Sequence, residues 1–223
     1  MSVSRETFEP LLAALAAEPD PHTTVADPEA ALEVHVADSL SGLEVPELAA
    51  ARRIADIGAG AGFPGLVLAI ALPRAQVDLI ESVGRKTAVT ARLIHAAELG
   101  NARSVHARVE DFARVPAALG GGREAYDAVT ARAVGPLALL VEYAAPLLRS
   151  DGVLVAWKGA RDLAEEAAGA AAAEKVGMAV EEVVPVQPYP ASENRHLHLF
   201  RKIAPTPPEF PRRAGMARKR PLA

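Results

Sequence analysis

Two hydrophobic rhythms alternate along the 223-residue chain, and the places where they change mark its elements. Phe8, Leu11, Leu12 and Leu15 fall at helical spacing, which predicts a helix ending before Pro19. A turn-rich link runs from Pro19 to Pro28. Asp27-Pro28 then reads as an N-cap with proline at the first helical position, opening a helix through about Ser41. From Arg52 short apolar runs (54–57, 77–80, 104–107, 128–131 and 153–157) alternate with helical stretches (65–72, 85–99 and 136–148). That series predicts a parallel sheet covered by helices on both faces. An Ala/Glu-rich helix follows Asp162 to about Lys175. Strand-like runs at 179–186 and 196–202 flank a Pro-rich connection, 185–190, consistent with a final antiparallel hairpin. The Gly120-Gly121-Gly122 run reads as a flexible loop.

The length suits one sizeable domain. The expected layout is a helical N-terminal extension at 1–50, an α/β domain at 51–203 and a basic tail at 204–223. Half of the residues are hydrophobic and only 4% aromatic, so the core must be built mainly from Ala, Leu and Val. Cysteine is absent, which excludes disulfides, thiolate metal sites and a cysteine nucleophile, and fits a reducing cytoplasm. Met1 to Glu9 mixes charged and polar residues and lacks a signal peptide's apolar run. The longest apolar stretches, 11–17 and 66–72, are too short to cross a bilayer, so a soluble protein is expected. Nothing in the chain demands more than a monomer.

The net charge of −4 hides an asymmetry. From Arg195 onward eight Lys or Arg face one acid, Glu209, giving +7, while residues 1–194 carry −11. An acidic body with a basic end is one signature of a polyanionic partner, and a solvated tail that only aids solubility is the alternative.

The strongest local signal is Asp56-Ile57-Gly58-Ala59-Gly60-Ala61-Gly62-Phe63-Pro64-Gly65, between a strand and a helix. Closely spaced glycines let the backbone approach a ligand, and the following helix offers free N–H groups to an anion. Gly60, Gly62 and Gly65 spell a dinucleotide-binding G-x-G-x-x-G. Read from Asp56, the same stretch is the acid-x-Gly-x-Gly-x-Gly loop of Rossmann-like methyltransferases. An acid at the strand end repels a pyrophosphate but can pair with a methionine ammonium, which favours the methyltransferase reading modestly. Glu81 ends the next strand, 21 residues after Gly60, where both cofactor classes place an acid for the ribose hydroxyls. Arg108-Val109-Glu110-Asp111-Phe112 follows the third strand, where methyltransferases contact the adenine. A nicotinamide-dependent oxidoreductase and a non-catalytic RNA-binding protein are the rival readings.

Several segments together resemble the bacterial ribosomal RNA small subunit methyltransferase G family. They are His35-Val36-Ala37-Asp38-Ser39-Leu40, the loop 56–65 with its Gly-Phe-Pro-Gly ending, and Glu81-Ser82 followed by Gly84-Arg85-Lys86. Arg132-Ala133-Val134, Lys158-Gly159, Arg195-His196 and the tail from Thr206-Pro207 through Phe210-Pro211-Arg212-Arg213-Ala214-Gly215 to Pro221-Leu222 complete the match. It runs from about residue 30 to the C-terminus. The chain departs from the family at the start, where His22-Thr23-Thr24-Val25 replaces a longer helical lead with a Trp-Asn pair and an Asn-Leu-Thr element.

The resemblance implies a Rossmann-like α/β fold with a mostly parallel seven-stranded sheet. It also implies methyl transfer from S-adenosyl-L-methionine to N7 of one guanine in 16S ribosomal RNA, with the RNA met in the 30S subunit or an assembly intermediate. Carried over, cofactor contacts fall on Gly58, Phe63, Val109, Glu110 and Arg132, joined by Gly60 and Glu81 from the loop reading. Guanine N7 has a lone pair and no proton to lose, so no catalytic base is assigned. Arg132 is the candidate for positioning cofactor or base. Lys158, Arg195, Arg212, Arg213, Arg218, Lys219 and Arg220 are the candidates for RNA contact, the last five in a tail read as lacking regular structure. His35 and Asp38 share a helix face and suit a structural hydrogen bond. His196 and His198 share a strand face but have no evident third ligand, so no metal is expected.

Overall fold

The computed structural model describes residues 4–223. The first three residues of the Met1–Glu9 stretch lie outside the described residues. A 3-10 turn (Arg5–Phe8) leads into α1 (Glu9–Ala17), which ends before Pro19 as its spacing predicts. Asp27 caps the next helix, its Oδ1 accepting the N–H groups of Glu29 and Ala30 at 3.1 and 3.0 Å. That helix continues past Ser41 as one winding run, from α2 (Pro28–Ala31) through a π-helical stretch (Leu32–Ala37) and α3 (Asp38–Leu40) to a 3-10 turn (Ser41–Glu44). After α4 (Pro46–Ala50) the alternating series begins with β1 (Arg53–Ile57), α5 (Gly65–Ala71), β2 (Gln76–Glu81), α6 (Gly84–Ala96) and β3 (Ala102–His106). It continues with α7 (Val109–Phe112), β4 (Tyr126–Arg132), α8 (Leu137–Ala144) and β5 (Leu148–Lys158). α9 (Leu163–Lys175), β6 (Met178–Val186), β7 (Arg195–Lys202) and α10 (Met216–Lys219) close the chain.

The seven strands form one sheet in the order β3-β2-β1-β4-β5-β7-β6. β1 through β5 pair in parallel, and β7 runs antiparallel between β5 and β6. The order reverses between β1 and β4, where the connections leave in opposite directions and open a crevice at the carboxyl ends of the strands.

Period-two alternation divides the core into two layers. Ile54, Val153, Val155 and Trp157 face one side with Leu66, Leu68, Val89 and Leu93 of α5 and α6. Phe8, Leu11, Leu15 and Leu48 join the same cluster, so the N-terminal helices share the sheet's core. Ala55, Ile57, Leu154 and Ala156 face the other side, against Leu137, Leu140 and Val141 of α8, Ala172 and Ala173 of α9, and Phe210 and Ala217 beyond β7. Among the described residues no helix is long and apolar enough to cross a membrane.

Three sequence readings change. Pro185 lies inside β6, opposite His196, rather than in the connection; β6 is an edge strand, where proline is tolerated. The glycine run at 120–122 is a packed turn, since a Cβ on Gly122 would lie 2.4 Å from the Phe112 ring. The tail contains α10 and contributes to the core, because Phe210 and Ala217 supply apolar surface among its cations.

Gly42 fixes the N-terminal helices to β5. A Cβ there would lie 2.3 Å from Cζ2 of Trp157, whose Nε1 donates to the Asp38 carbonyl at 2.8 Å. Gly42→Ala should therefore cost about 1–3 kcal/mol by overpacking and lower the thermal midpoint by roughly 2–12 °C. Gly100→Ala, where an added Cβ meets nothing within 4 Å, should leave the melt nearly unchanged.

Candidate active site

The glycine loop is pinned from beneath. The Asp56 side chain, 1% exposed, accepts the Gly65 N–H at 2.9 Å through Oδ2 and the Thr130 hydroxyl at 3.0 Å through Oδ1. Both oxygens are thus committed inside the fold, and Asp56 does not reach a ligand's ammonium as its position at the strand end suggested. Gly65 explains why. A Cβ there would sit 2.8 Å from both Asp56 Oδ2 and Leu79 Cδ2, so glycine brings α5 directly onto the sheet and its N–H onto the carboxylate. Gly58 has φ +65°, and a Cβ would press on Val134 at 2.8 Å, so the loop and the end of β4 lie against each other.

Above the loop lies a cleft of about 550 Å³ at the carboxyl ends of β1 to β4. Gly58, Glu81, Val109 and Glu110 line it, four of the positions expected to hold cofactor. Glu81 accepts the Gly60 N–H at 3.1 Å and the Val83 N–H at 2.8 Å, so Gly60 acts through Glu81 in this state. Glu110, 4% exposed, accepts the Gly215 N–H at 2.7 Å. Lys86, Arg108, Tyr143, Gly215 and Arg218 also line the cleft, and no spacing along the chain points to Tyr143 or Gly215. Burial and the neighbouring Glu110 push the Tyr143 hydroxyl up to about 12, which keeps it a neutral donor. A glycine-walled floor with two carboxylates at its rim suits a nucleoside bearing ribose hydroxyls and an exocyclic amine. The volume lies within the usual range for ligand sites.

Phe63 and Arg132 do not line this cleft; they belong to a cluster at its edge. Arg132 ion-pairs with Asp38 at 2.7 Å, and Asp38 is 3% exposed. It also donates to the Val34 carbonyl at 3.3 Å and to His35 Nδ1 at 3.2 Å. The His35 ring stacks on Phe63 with centroids 4.5 Å apart, and the guanidinium lies 5.7 Å from the Phe63 centroid. Burial, then the Arg132 charge, lowers His35 to about 4, so the imidazole is neutral. Accepting from arginine at Nδ1 places the proton on Nε2, which lies 3.0 Å from the Val25 carbonyl and 2.9 Å from Thr23 Oγ1. The short segment 22–25 therefore orients His35, and His35 and Asp38 together orient Arg132.

Arg132 also lines a second, smaller cleft of about 190 Å³ with Trp157, Leu140, Lys158 and Arg195, and Ala133 lies in both. Lys158 is held by Glu165 at 2.6 Å. The two histidines on one face of β7 have protein partners: His196 Nδ1 lies 3.0 Å from the Gly159 carbonyl, and His198 Nε2 lies 3.2 Å from Glu166. The tail cations separate. Arg212 forms a two-pronged pair with Glu142 at 2.7 and 2.5 Å, Arg218 lines the larger cleft, and Arg213, Lys219 and Arg220 are exposed.

The sheet order, the pinned glycine loop and the cleft at the switch point define a Rossmann-like methyltransferase. The same fold occurs in an S-adenosylmethionine-dependent methyltransferase from Aquifex aeolicus, with a TM-score of 0.57, 14% identity and coverage of 91% of this chain and all of that one. Residues 21–197 match the family described as rRNA small subunit methyltransferase G, and the chain belongs to that family. It is 43% identical to the ribosomal RNA small subunit methyltransferase G of Chloroflexus aggregans, over 90% of this chain and 82% of that protein. With its counterpart from Desulfitobacterium hafniense it shares 38% identity over 90% and 81%. Family and fold together make S-adenosylmethionine the cofactor, which sets the nicotinamide reading aside.

Burial raises Asp56 from its ordinary 3.8 to about 7, against the hydrogen bonds from Gly65 and Thr130. Between these values the folded state holds a proton that the unfolded chain has released, so stability falls as pH rises through that window. An Asn at this position cannot ionise. The urea midpoint of the wild type should fall more steeply from pH 4.5 to 7.5 than that of Asp56→Asn, and parallel profiles would refute the assignment.

Proposed function

We propose that this protein transfers a methyl group from S-adenosylmethionine to N7 of a single guanine in 16S ribosomal RNA. The observation that carries the reading is the meeting of two clefts at Ala133, the larger with Glu81 and Glu110 placed for a nucleoside and the smaller with Arg132, Lys158 and Arg195 placed for a base and its phosphates. The relatives named as ribosomal RNA small subunit methyltransferases supply the substrate class.

Bound in the larger cleft, S-adenosylmethionine supplies a methyl group on a sulfonium. Glu81 and Glu110 accept hydrogen bonds there from ribose hydroxyls and the adenine amine. N7 carries a lone pair and no proton, so the chain need supply no base. Its contribution is alignment for an in-line displacement, worth roughly 7–11 kcal/mol in well-oriented systems. Trp157 and Leu140 offer apolar surface to the guanine. Three of the five N–H groups of Arg132 are committed to Asp38, Val34 and His35, which leaves two. Arginine usually grips guanine at O6 and N7 together. Here N7 must stay open to attack, so Arg132 holds O6 alone. Lys158 and Arg195 take the flanking phosphates, with Arg213, Lys219 and Arg220 further out. The enzyme acts as a cytoplasmic monomer on the 30S subunit or an assembly intermediate.

Removing Arg132 would strand a buried carboxylate, a loss of about 3–5 kcal/mol, so alanine is a poor test. Arg132→Lys keeps the charge beside Asp38 and loses the fork. It should melt within a few degrees of the wild type and lose at least about tenfold in methyl transfer; unchanged transfer would remove Arg132 from the site. Methyl-labelled S-adenosylmethionine should label 30S subunits from a strain lacking this enzyme at one guanine, mapped by cleavage at N7-methylguanine. Label on another base, or none on subunits and free 16S RNA, would overturn the assignment.

A further inference from the structure

The tail beyond β7 is docked along its length. Lys202 bonds to Thr206, and Phe210 is buried. Arg123 and Arg114 donate to the carbonyls of Phe210 and Pro211 at 3.1 and 2.9 Å. Arg212 holds both oxygens of Glu142, which is 2% exposed, and also donates to the Arg220 carbonyl at 2.8 Å. A carboxylate so buried needs its partner, so Arg212 is not available to a phosphate. Two residues of this anchored segment reach the larger cleft. The Gly215 N–H occupies Oε1 of Glu110, and Arg218 donates across to the Val134 carbonyl at 3.3 Å.

We propose that the C-terminal segment is a fixed wall of the cofactor cleft and that Arg218 contacts the adenine moiety of the cofactor, rather than RNA. The inference rests on the larger cleft being the S-adenosylmethionine site. Gly215 occupies one oxygen of Glu110 and leaves the other to accept the adenine amine. Arg218, on the same wall, presents a planar, weakly hydrated guanidinium that stacks on aromatic faces. The five tail cations thus divide by task. Arg212 locks the segment, Arg218 serves the nucleoside, and the exposed Arg213, Lys219 and Arg220 are left for RNA.

Calorimetric titration with S-adenosylhomocysteine, alongside 16S RNA binding across a salt series, tests the division. Arg218 is exposed, so Arg218→Gln should fold with an unchanged melt. It should weaken S-adenosylhomocysteine about tenfold and leave the salt slope of RNA binding as in the wild type. Arg213→Gln should do the reverse, keeping the ligand affinity and flattening the slope by about one. Wild-type affinity for S-adenosylhomocysteine in Arg218→Gln would overturn the proposal while the methyltransferase reading stands. A wild-type protein that fails to bind S-adenosylhomocysteine would overturn both.

Discussion

One buried carboxylate sets the geometry on which the rest of the site depends. Asp56 gathers the end of β1, the start of α5 and the middle of β4 onto its two oxygens, at distances near 3 Å. With those bonds made, α5 has a fixed position on the sheet and the glycine loop has fixed ends. The cleft above inherits its floor from that arrangement, and Gly58 meets Val134 because the loop and β4 are held in register. An isolated charge in such a place would be costly, and the raised proton affinity of Asp56 is the physical sign of that cost.

A second level of organisation is electrostatic. The larger cleft mixes Glu81 and Glu110 with Lys86, Arg108 and Arg218, the smaller is lined by Arg132, Lys158 and Arg195 without an acid, and Arg132 stands beside the Ala133 that both share. Much of the cationic charge is steadied by acids just behind it: Asp38 behind Arg132, Glu165 behind Lys158 and Glu142 behind Arg212. Such pairing fixes where a guanidinium or ammonium points, which matters more for orienting a base than the strength of any one pair. The acidic balance of residues 1–194 is in part the counter-charge of this apparatus.

Most of the sheet was legible because buried strands are written as short apolar runs, and the runs fell close to the strands except at β5, which begins at Leu148, inside the stretch expected to be helical. Glu81 was legible from its spacing to the glycine loop and Glu110 from its place after the third strand, and the structure brings them to one cleft. Asp56 was misread for a physical reason: sequence places an acid at a strand end but does not say whether its side chain turns outward or under the loop. The tail was misread because its charges are conspicuous, whereas two buried residues, Phe210 and Ala217, decide its path. Tyr143 and Gly215 carry no local signal, since both reach the cleft only through packing that spans the length of the chain.

The position of β7 has a consequence for the order in which the protein is completed. β6 pairs with β7 alone, so the strand at 178–186 has no partner until residues 195–202 thread between it and β5. During synthesis from the N-terminus, the parallel half of the sheet can assemble while this edge waits. The final strand lies between two ladders, bonded to β5 on one side and β6 on the other, and carries behind it the segment that borders the cleft. Maturation of this fold is thus weighted toward its last residues, a long-range closure of the kind that slows folding.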